Sequence, residues 1–337
     1  MHFTYFIGID VSKETLDFSV LHNNDFLFHL QVENSLKGIT KFNNHFKKTL
    51  KVNSDMCLFC VEHTGVYNYH LLEYFTAHKL NLWVESGSRI KASSGLQRGK
   101  NDKVDSLRIA QYAFKNSRSA TIWQAPRAEI SQLKRLLTMR QRCVNLKKQA
   151  TVPVSENASF SNKKLCKLEA SLFKQTLIAL DKDLKGIEKS IKETIEADPE
   201  LKRVFALMTS INGIGPVIAA HVLVLTNEFK DFNSAKKFAC YAGVVPFDHS
   251  SGKSIKGRSR VSHLAHKGIK HLLHMAAISV IRLGGELSAY FVRKVATGKN
   301  KMLILNAIRD KLIHRIFAVV KSGEPYQENY NNLLFMS

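Results

Sequence analysis

The stretch Tyr5-Phe6-Ile7-Gly8-Ile9-Asp10 is apolar until its last residue, a carboxylate. A short continuous apolar run reads as a strand buried in a sheet, where a carboxylate costs several kcal/mol unless something cationic compensates it. Asp10 is therefore the residue to explain. A second strand-like run, Leu16 to Leu21, follows at once, so Asp10 lies where two adjacent strands expose a carboxylate at a sheet end.

Three more acids stand in comparable settings. Glu62 closes the strand-like run CLFCV, and Asp102 and Asp105 lie in GKNDKVDSLRIAQYAF, where i,i+3 spacing puts both on one helix face. Taken singly, each has a plain structural reading: Glu62 as the cap of a turn, Asp102 as a helix N-cap, Asp105 as a solvated first-turn acid favoured by the helix dipole. Taken together, the four suggest a divalent-metal site. Hard oxygen ligands suit Mg2+ or Mn2+, and two such ions about 3.5 to 4 Å apart stabilise both the attacking and the leaving oxygen of a phosphoryl transfer.

Working outward, residues 1 to 120 read as alternating strands and helices. Strands are expected at 3–10, 15–22, 25–33, 57–62 and 80–85, with a helix capped by Asn34 or Ser35 whose stripe is Leu36, Ile39, Phe42 and Phe46, another near 68–78, and a third from Asp102 onward. Three consecutive strands, then alternating helix and strand, with acids on the first strand, the fourth strand and a late helix, is the arrangement of ribonuclease H-like nuclease folds. A helical middle, 121 to 199, follows. Ile130, Leu133, Leu137 and Val144 make one stripe; beyond a polar loop at 151–163, Leu177, Leu180, Leu184, Ile187 and Ile191 repeat at 3,4 spacing, a coiled-coil seam that fits an intramolecular hairpin and an intermolecular coiled coil equally. Asp198-Pro199 ends that helix.

The remainder, 200 to 337, is mainly helical with two irregular segments. Ser210 to Pro216 contains Gly213 and Gly215 between apolar helices, which resembles a helix-hairpin-helix whose backbone N–H groups face a phosphate; an ordinary Gly-rich turn is the alternative. The second segment runs from Val244 to Arg260. No acid occurs between Asp248 and Glu286, while Lys253, Lys256, Arg258, Arg260, Lys267, Lys270 and Arg282 fall in that interval. A one-signed stretch repels itself unless an anion such as a phosphate backbone neutralises it. Ser251, before Gly252 and among these cations, is a candidate nucleophile and a candidate phosphate hydrogen-bonder; the residues alone favour the second role.

Composition sets the bounds. The 337 residues suffice for two domains with substantial cores, and 50 Lys and Arg against 28 Asp and Glu give a net charge of +22, which points to nucleic acid as partner. Val217 to Leu225, among the longest apolar stretches, is interrupted by His221 and too short to span a bilayer, and the N-terminal apolar run lacks the features of a signal peptide, so no membrane role is expected. Five cysteines without an export signal suggest a reducing compartment and no disulfide framework. Cys57-x-x-Cys60 lacks a second pair and reads as a buried strand, not a zinc site.

GIDVSK at 8–13, VEHTG at 61–65, KNDKVDS at 100–106, INGIGPVIAA at 211–220 and YAGVVPFDHSSGK at 241–253, followed by HKGIKHLLHMAA, resemble the DEDD transposases of bacterial insertion sequences. These are the RNA-guided bridge recombinases, relatives of the pilin-gene DNA invertases. The resemblance implies an α/β plus α architecture. A RuvC-like N-terminal domain would hold Mg2+ on Asp10, Glu62, Asp102 and Asp105, followed by a coiled-coil middle and a helical C-terminal transposase domain with a helix-hairpin-helix. It implies that Ser251 attacks a DNA strand and becomes linked to its 5′ phosphate, with Ser250 and Ser254 near enough to be confused with it. Gly213, Gly215, Lys253, Lys256, Arg258, Arg260, Lys267 and Lys270 would bind nucleic acid. It further implies a structured noncoding guide RNA pairing with donor and target DNA, a homodimer or homotetramer with composite active sites, and a bacterial cytoplasmic, nucleoid-associated location. Relatives often carry Lys-Arg-Gly and then Leu-Arg where this chain has His266-Lys267-Gly268 and His271-Leu272. The rival reading is a RuvC-like, metal-dependent Holliday-junction nuclease, in which the acids activate water and Ser251 only binds phosphate.

Overall fold

The computed structural model describes residues 3–93, 101–160, 162–251, 255–261 and 264–328, tracing the backbone alone at 157–159, 247–251 and 255–260. The chain packs as two units, Met1–Ala125 and Pro126–Ser337.

The first unit comprises β1 (Tyr5–Val11), β2 (Thr15–His22), β3 (Asp25–Glu33), α1 (Leu36–Leu50), β4 (Cys57–Glu62), α2 (Tyr69–Ala77), β5 (Leu82–Glu85), α3 (Gly87–Ser93) and α4 (Asp102–Asn116). Its sheet runs β3-β2-β1-β4-β5. β1, β2 and β3 pair antiparallel, and β4 and β5 continue from β1 in parallel. β1 is thus central and buried on both faces, which is why its sequence shows no polar alternation. Asn23, at φ +53°, turns the tight β2–β3 hairpin, a conformation asparagine tolerates. Ser35 caps α1 by accepting the Gly38 N–H at 3.1 Å. One face of the sheet is then covered by Ile39, Phe42 and Phe46, with Phe42 stacked on Phe18 at 3.8 Å. Leu36, expected in that stripe, is the first residue of α1 and is 43% exposed.

α4 covers the opposite face, and Gly8 permits it. A Cβ at position 8 would lie 2.0 Å from the Ser106 carbonyl oxygen and 2.2 Å from the Ala110 nitrogen, so helix backbone rests directly on β1. Ser19 of β2 and Ser106 of α4 share a buried hydrogen bond of 2.8 Å beside this contact. The helix that carries Asp102 and Asp105 is thereby fixed over the strand that carries Asp10.

The second unit opens with two long helices, α5 (Ala128–Phe160) and α6 (Lys163–Glu196). The expected polar loop at 151–163 is mostly helix: α5 continues through Pro153, whose missing N–H and ring strain were tolerated at an exposed position. α5 and α6 form a hairpin within the chain, tied by Arg140–Glu188 at 2.8 Å and Lys147–Asp181 at 2.5 Å, with Leu180, Ile187 and Ile191 of the seam buried. Next come α7 (Pro199–Thr209), α8 (Pro216–Thr226), α9 (Ala235–Tyr241), the antiparallel hairpin β6 (Phe247–Ser251) and β7 (Ile255–Arg260), α10 (Lys267–Leu283), α11 (Glu286–Ala296) and α12 (Lys301–Ser322). Asp198 caps α7 and, with Glu228, receives the Arg127 guanidinium at 2.6 and 2.5 Å, which anchors the start of α5 to the C-terminal helices. Leu133 and Leu137 of α5 share one core with Leu223, Phe238, Leu273, Ile308 and Leu312.

Among the described residues no single helix is long and apolar enough to cross a membrane. α10 and α11 pass that test only as a pair and are bent by 91° at Gly284-Gly285, both of which have positive φ.

Candidate active site and nucleic-acid interface

Strand register lines up four carboxylates across four neighbouring strands. Asp10 of β1 is opposite Asp17 of β2, Glu62 of β4 is opposite Glu85 of β5, and the Ile9–Val61 pairing puts Asp10 beside Glu62. Paired residues present their side chains to the same face, here the face covered by α4. α4 begins at Asp102, after Asn101 caps it by accepting the Lys103 N–H at 2.9 Å, so Asp102 is a first-turn acid and not the cap. Asp105 stands one turn on and accepts from Arg108 at 2.7 Å.

Asp10 feels these acids. Burial first, then the carboxylates of Asp102 and Asp105 and, more weakly, Asp17 push its carboxyl up to about 6, against the Val11 N–H, which donates to it at 3.1 Å. The structure thus brings Asp10, Asp102 and Asp105 into one electrostatic field. Glu62 is a register neighbour whose carboxylate lies over Gly87: a Cβ there would meet its Oε1 at 1.9 Å. Asn68 fixes the turn after β4 by donating to the Glu62 carbonyl at 2.9 Å.

Asp17 and Glu85 were not among the acids singled out from the sequence, although Glu85 closes its strand as Glu62 does. Both are buried and answered by donors. Asp17 accepts from His29 at 2.8 Å and Gln31 at 3.0 Å, and Glu85 accepts from the Ser86 N–H at 2.7 Å and the Tyr112 hydroxyl at 3.1 Å. They flank the two central acids, Asp10 and Glu62, which lack such side-chain donors among the bonds described.

In kind, these ligands fit a hard divalent cation: they are all carboxylate oxygens, and no cation is among the described groups that shift Asp10 in either direction. In arrangement they share a field without closing on one point: among the described residues no three His, Cys, Asp or Glu side chains gather as a metal-binding group.

In the second unit, the segment Ser210–Pro216 joins α7 to α8. Gly213 has φ +88°, and a Cβ on it would lie 2.2 Å from a Val280 methyl, so this glycine lets the turn pack on α10. Gly215 is the extended N-cap of α8, with Pro216 at its first position. The turn and α10 line an open groove of about 560 Å³ that includes Met275, Ser279 and Leu283 and, among the described residues, no Lys or Arg.

On the hairpin, Ser251 ends β6 in register with Ile255, and Ser250 is opposite Lys256. Lys256, Arg258 and Arg260 occupy alternate positions of β7. Gly252, Lys253 and Ser254 lie outside the described residues. Lys267 is exposed in the first turn of α10, whose cap is His266: its Nδ1 accepts the Ile269 N–H at 3.1 Å. Lys270, one turn further on, is partly buried, and burial together with Arg309 lowers its pKa.

Comparison with known proteins covers both units. Residues 206–292 match the family described as Transposase IS116/IS110/IS902, and residues 7–153 match the DEDD transposase of IS110. The pilin gene-inverting proteins of Moraxella lacunata and Moraxella bovis are each 26% identical over 329 residues, 96% of this chain and 98% of theirs. The IS110 insertion element protein of Streptomyces coelicolor is 27% identical over 152 residues, 45% of this chain and 36% of its own. With both units matched by models of one transposase group, and with relatives aligned nearly end to end, the chain belongs to the IS110-type transposases, enzymes of DNA transposition and recombination.

Proposed function

We propose that this transposase cleaves and rejoins DNA through a covalent serine–DNA intermediate, using Mg2+ held by Asp10, Glu62, Asp102 and Asp105, under the guidance of a structured bridge RNA. The observation that carries the metal part is Asp10, a partly buried carboxyl raised to about 6 by burial and by Asp102 and Asp105. Like-charged carboxylates that share one electrostatic field on a strand and a helix favour a cation near them. The sheet order β3-β2-β1-β4-β5, with the acids at its end and on α4, supports a RuvC-like, ribonuclease H-type reading of the first unit. When bound, Mg2+ would supply charge neutralisation at the scissile phosphate.

The chain's own residues divide the remaining work. Ser251 Oγ attacks phosphorus, the 3′ oxygen of the cut strand leaves, and the 5′ phosphate stays on the enzyme. Attack by a second strand's 3′ hydroxyl reverses the step and frees the serine, so the phosphodiester energy is conserved. Lys256, Arg258, Arg260, Lys267 and Lys270, with Lys253, neutralise backbone phosphates, and the Gly213–Gly215 turn serves as a helix-hairpin-helix. The reading includes a homo-oligomer with composite sites; association is supported by the far part of α6, where Leu165, Leu168 and Leu172 recur at 3,4 spacing and are 54%, 55% and 70% exposed.

Denaturing gels with labelled DNA and peptide mapping test the chemistry. Asp105→Asn should abolish cleavage, and Ser251→Ala should bind DNA and RNA yet trap no adduct, whereas Ser250→Ala retains one. Cleavage without any adduct in the wild type identifies the junction-nuclease alternative. An adduct persisting in Ser251→Ala removes that serine from the mechanism.

A further inference from the structure

A charged side chain lies inside the second unit. Arg309 of α12 is only 5% exposed. Its Nη2 donates to His274 Nδ1 at 3.1 Å, and its Nε has no hydrogen-bond partner among the described residues. A guanidinium carries donors only, so Nδ1 of His274 must accept, which puts the ring proton on Nε2 as a further donor. One turn before His274 on α10 stands Lys270, and burial and then Arg309 lower the pKa of both. His271 adds weakly to the field at His274. No acid is among the described groups that set the pKa of Arg309, Lys270 or His274.

This cluster is tied to the segment that leads into the β6–β7 hairpin. Asn306, one turn before Arg309, donates its side-chain amide to the Val244 carbonyl. Gly243, at φ +65°, lies against Ala265 and the Lys270 stem, with a Cβ at 243 falling 3.8 Å from Lys270 Cδ. Val244 precedes β6 by three residues. A buried cation without a carboxylate is costly unless an anion answers it, and a guanidinium fork matches two phosphate oxygens at once.

We propose that Arg309, with Lys270 and the Nε2–H of His274, forms a binding site for a backbone phosphate of the DNA strand at the base of the β6–β7 hairpin. DNA is the occupant because the hairpin carries Ser251, so the inference rests on the proposed function. The site orders the strand that the serine attacks, and Arg309 acts as a positioning residue.

The full-length protein tests it in two ways, by melting in sulfate against chloride at equal ionic strength and by binding to single-stranded DNA and RNA of one sequence. Sulfate, which stabilises folded proteins generally by exclusion from their surface, should raise the melting temperature of the wild type clearly more than that of Arg309→Gln. Arg309→Gln should bind DNA about tenfold more weakly, with the slope of log affinity against log salt reduced by about one, and bind RNA unchanged. Arg309→Lys, which keeps the charge and loses the fork, should fall between the two and serves if the glutamine variant does not fold. Unchanged DNA affinity and slope, an equal loss for RNA, or an equal sulfate response in the wild type and Arg309→Gln overturns the site. So does a matching loss of stability in Arg309→Gln and Asp248→Asn, which would mark an internal ion pair. Adduct formation by Ser251 is read separately on denaturing gels, whereas affinity, salt slope and sulfate response read the Arg309 site, so a failed serine assignment is distinguishable from a failed phosphate site.

Discussion

At the scale of single residues, the carboxylate row separates two kinds of acid. Asp17 and Glu85 are buried and hydrogen-bonded by neighbouring side chains, while Asp10 meets mainly other acids. Its folded-state carboxyl titrates at about 6 against about 3.8 in the unfolded chain, so between those values the folded protein holds a proton that the unfolded chain releases. The ionised form therefore costs stability that is absent below pH 4, grows as pH rises, and is complete above pH 6 to 7. Asp10→Asn should stabilise the metal-free protein by about 2 kcal/mol at pH 7.5, after discounting for partial exposure, and by almost nothing at pH 4. Urea melts with a chelator present check this, and a gain equal at both pH values would contradict the cause given. Asp10 was legible because a charge closing an apolar run is anomalous. Asp17 was not, because an acid in the alternating stretch TLDFSV reads as a solvent-facing position. Arg309 was hidden in the same way, since an arginine in the helical stretch LILNAIRDKLIHRIF reads as its wet face.

At the scale of elements, Gly8 and α4 are one device. The β1, β2 and β3 strands, the α1 cap and the start of α4 were readable from apolar runs and capping residues, which are local signals. The contact that puts α4 over β1 is not local: it depends on a missing Cβ meeting backbone about a hundred residues later. Gly8→Ala should destabilise the protein by about 2 to 3 kcal/mol, because helix backbone, not a flexible side chain, must give way. Since α4 moves with Asp102 and Asp105, cleavage should fall further than in a variant of equal stability loss on the other sheet face, such as Phe46→Leu. Equal activity in the two variants at matched stability would show that the helix does not position the acids. Other elements escaped the sequence for opposite reasons. The length of α5 was obscured by Pro153 in a polar stretch, and α3 is too short for a periodic signal. The α6 seam was legible as a pattern while its partner was not, because heptad spacing does not say whether the facing helix is the chain's own.

At the scale of the whole molecule, the two candidate centres lie in different units of the chain, the acids before Ala125 and the serine after Pro126. Composite sites, in which one protomer supplies the acids and its partner the serine, make a prediction that sites built within one chain do not. Asp10→Asn and Ser251→Ala proteins, each inactive alone, should recover activity when mixed and allowed to exchange subunits. In a mixed two-fold dimer, one composite site combines both lesions, and the other combines the intact acids of one protomer with the intact serine of its partner. With equal amounts and random exchange, about half the dimers are mixed and half their sites are whole, so cleavage should return to about a quarter of the wild-type level. Sites formed within one chain would each keep a lesion, and the mixture would stay inactive however long exchange proceeds. The measurement is adduct formation on labelled DNA, and the adduct should map only to the Asp10→Asn chains, which retain Ser251. An affinity tag on one protein resolves this directly: adduct on the Ser251→Ala chains would refute the serine assignment, and exchange without any recovery would refute the composite site.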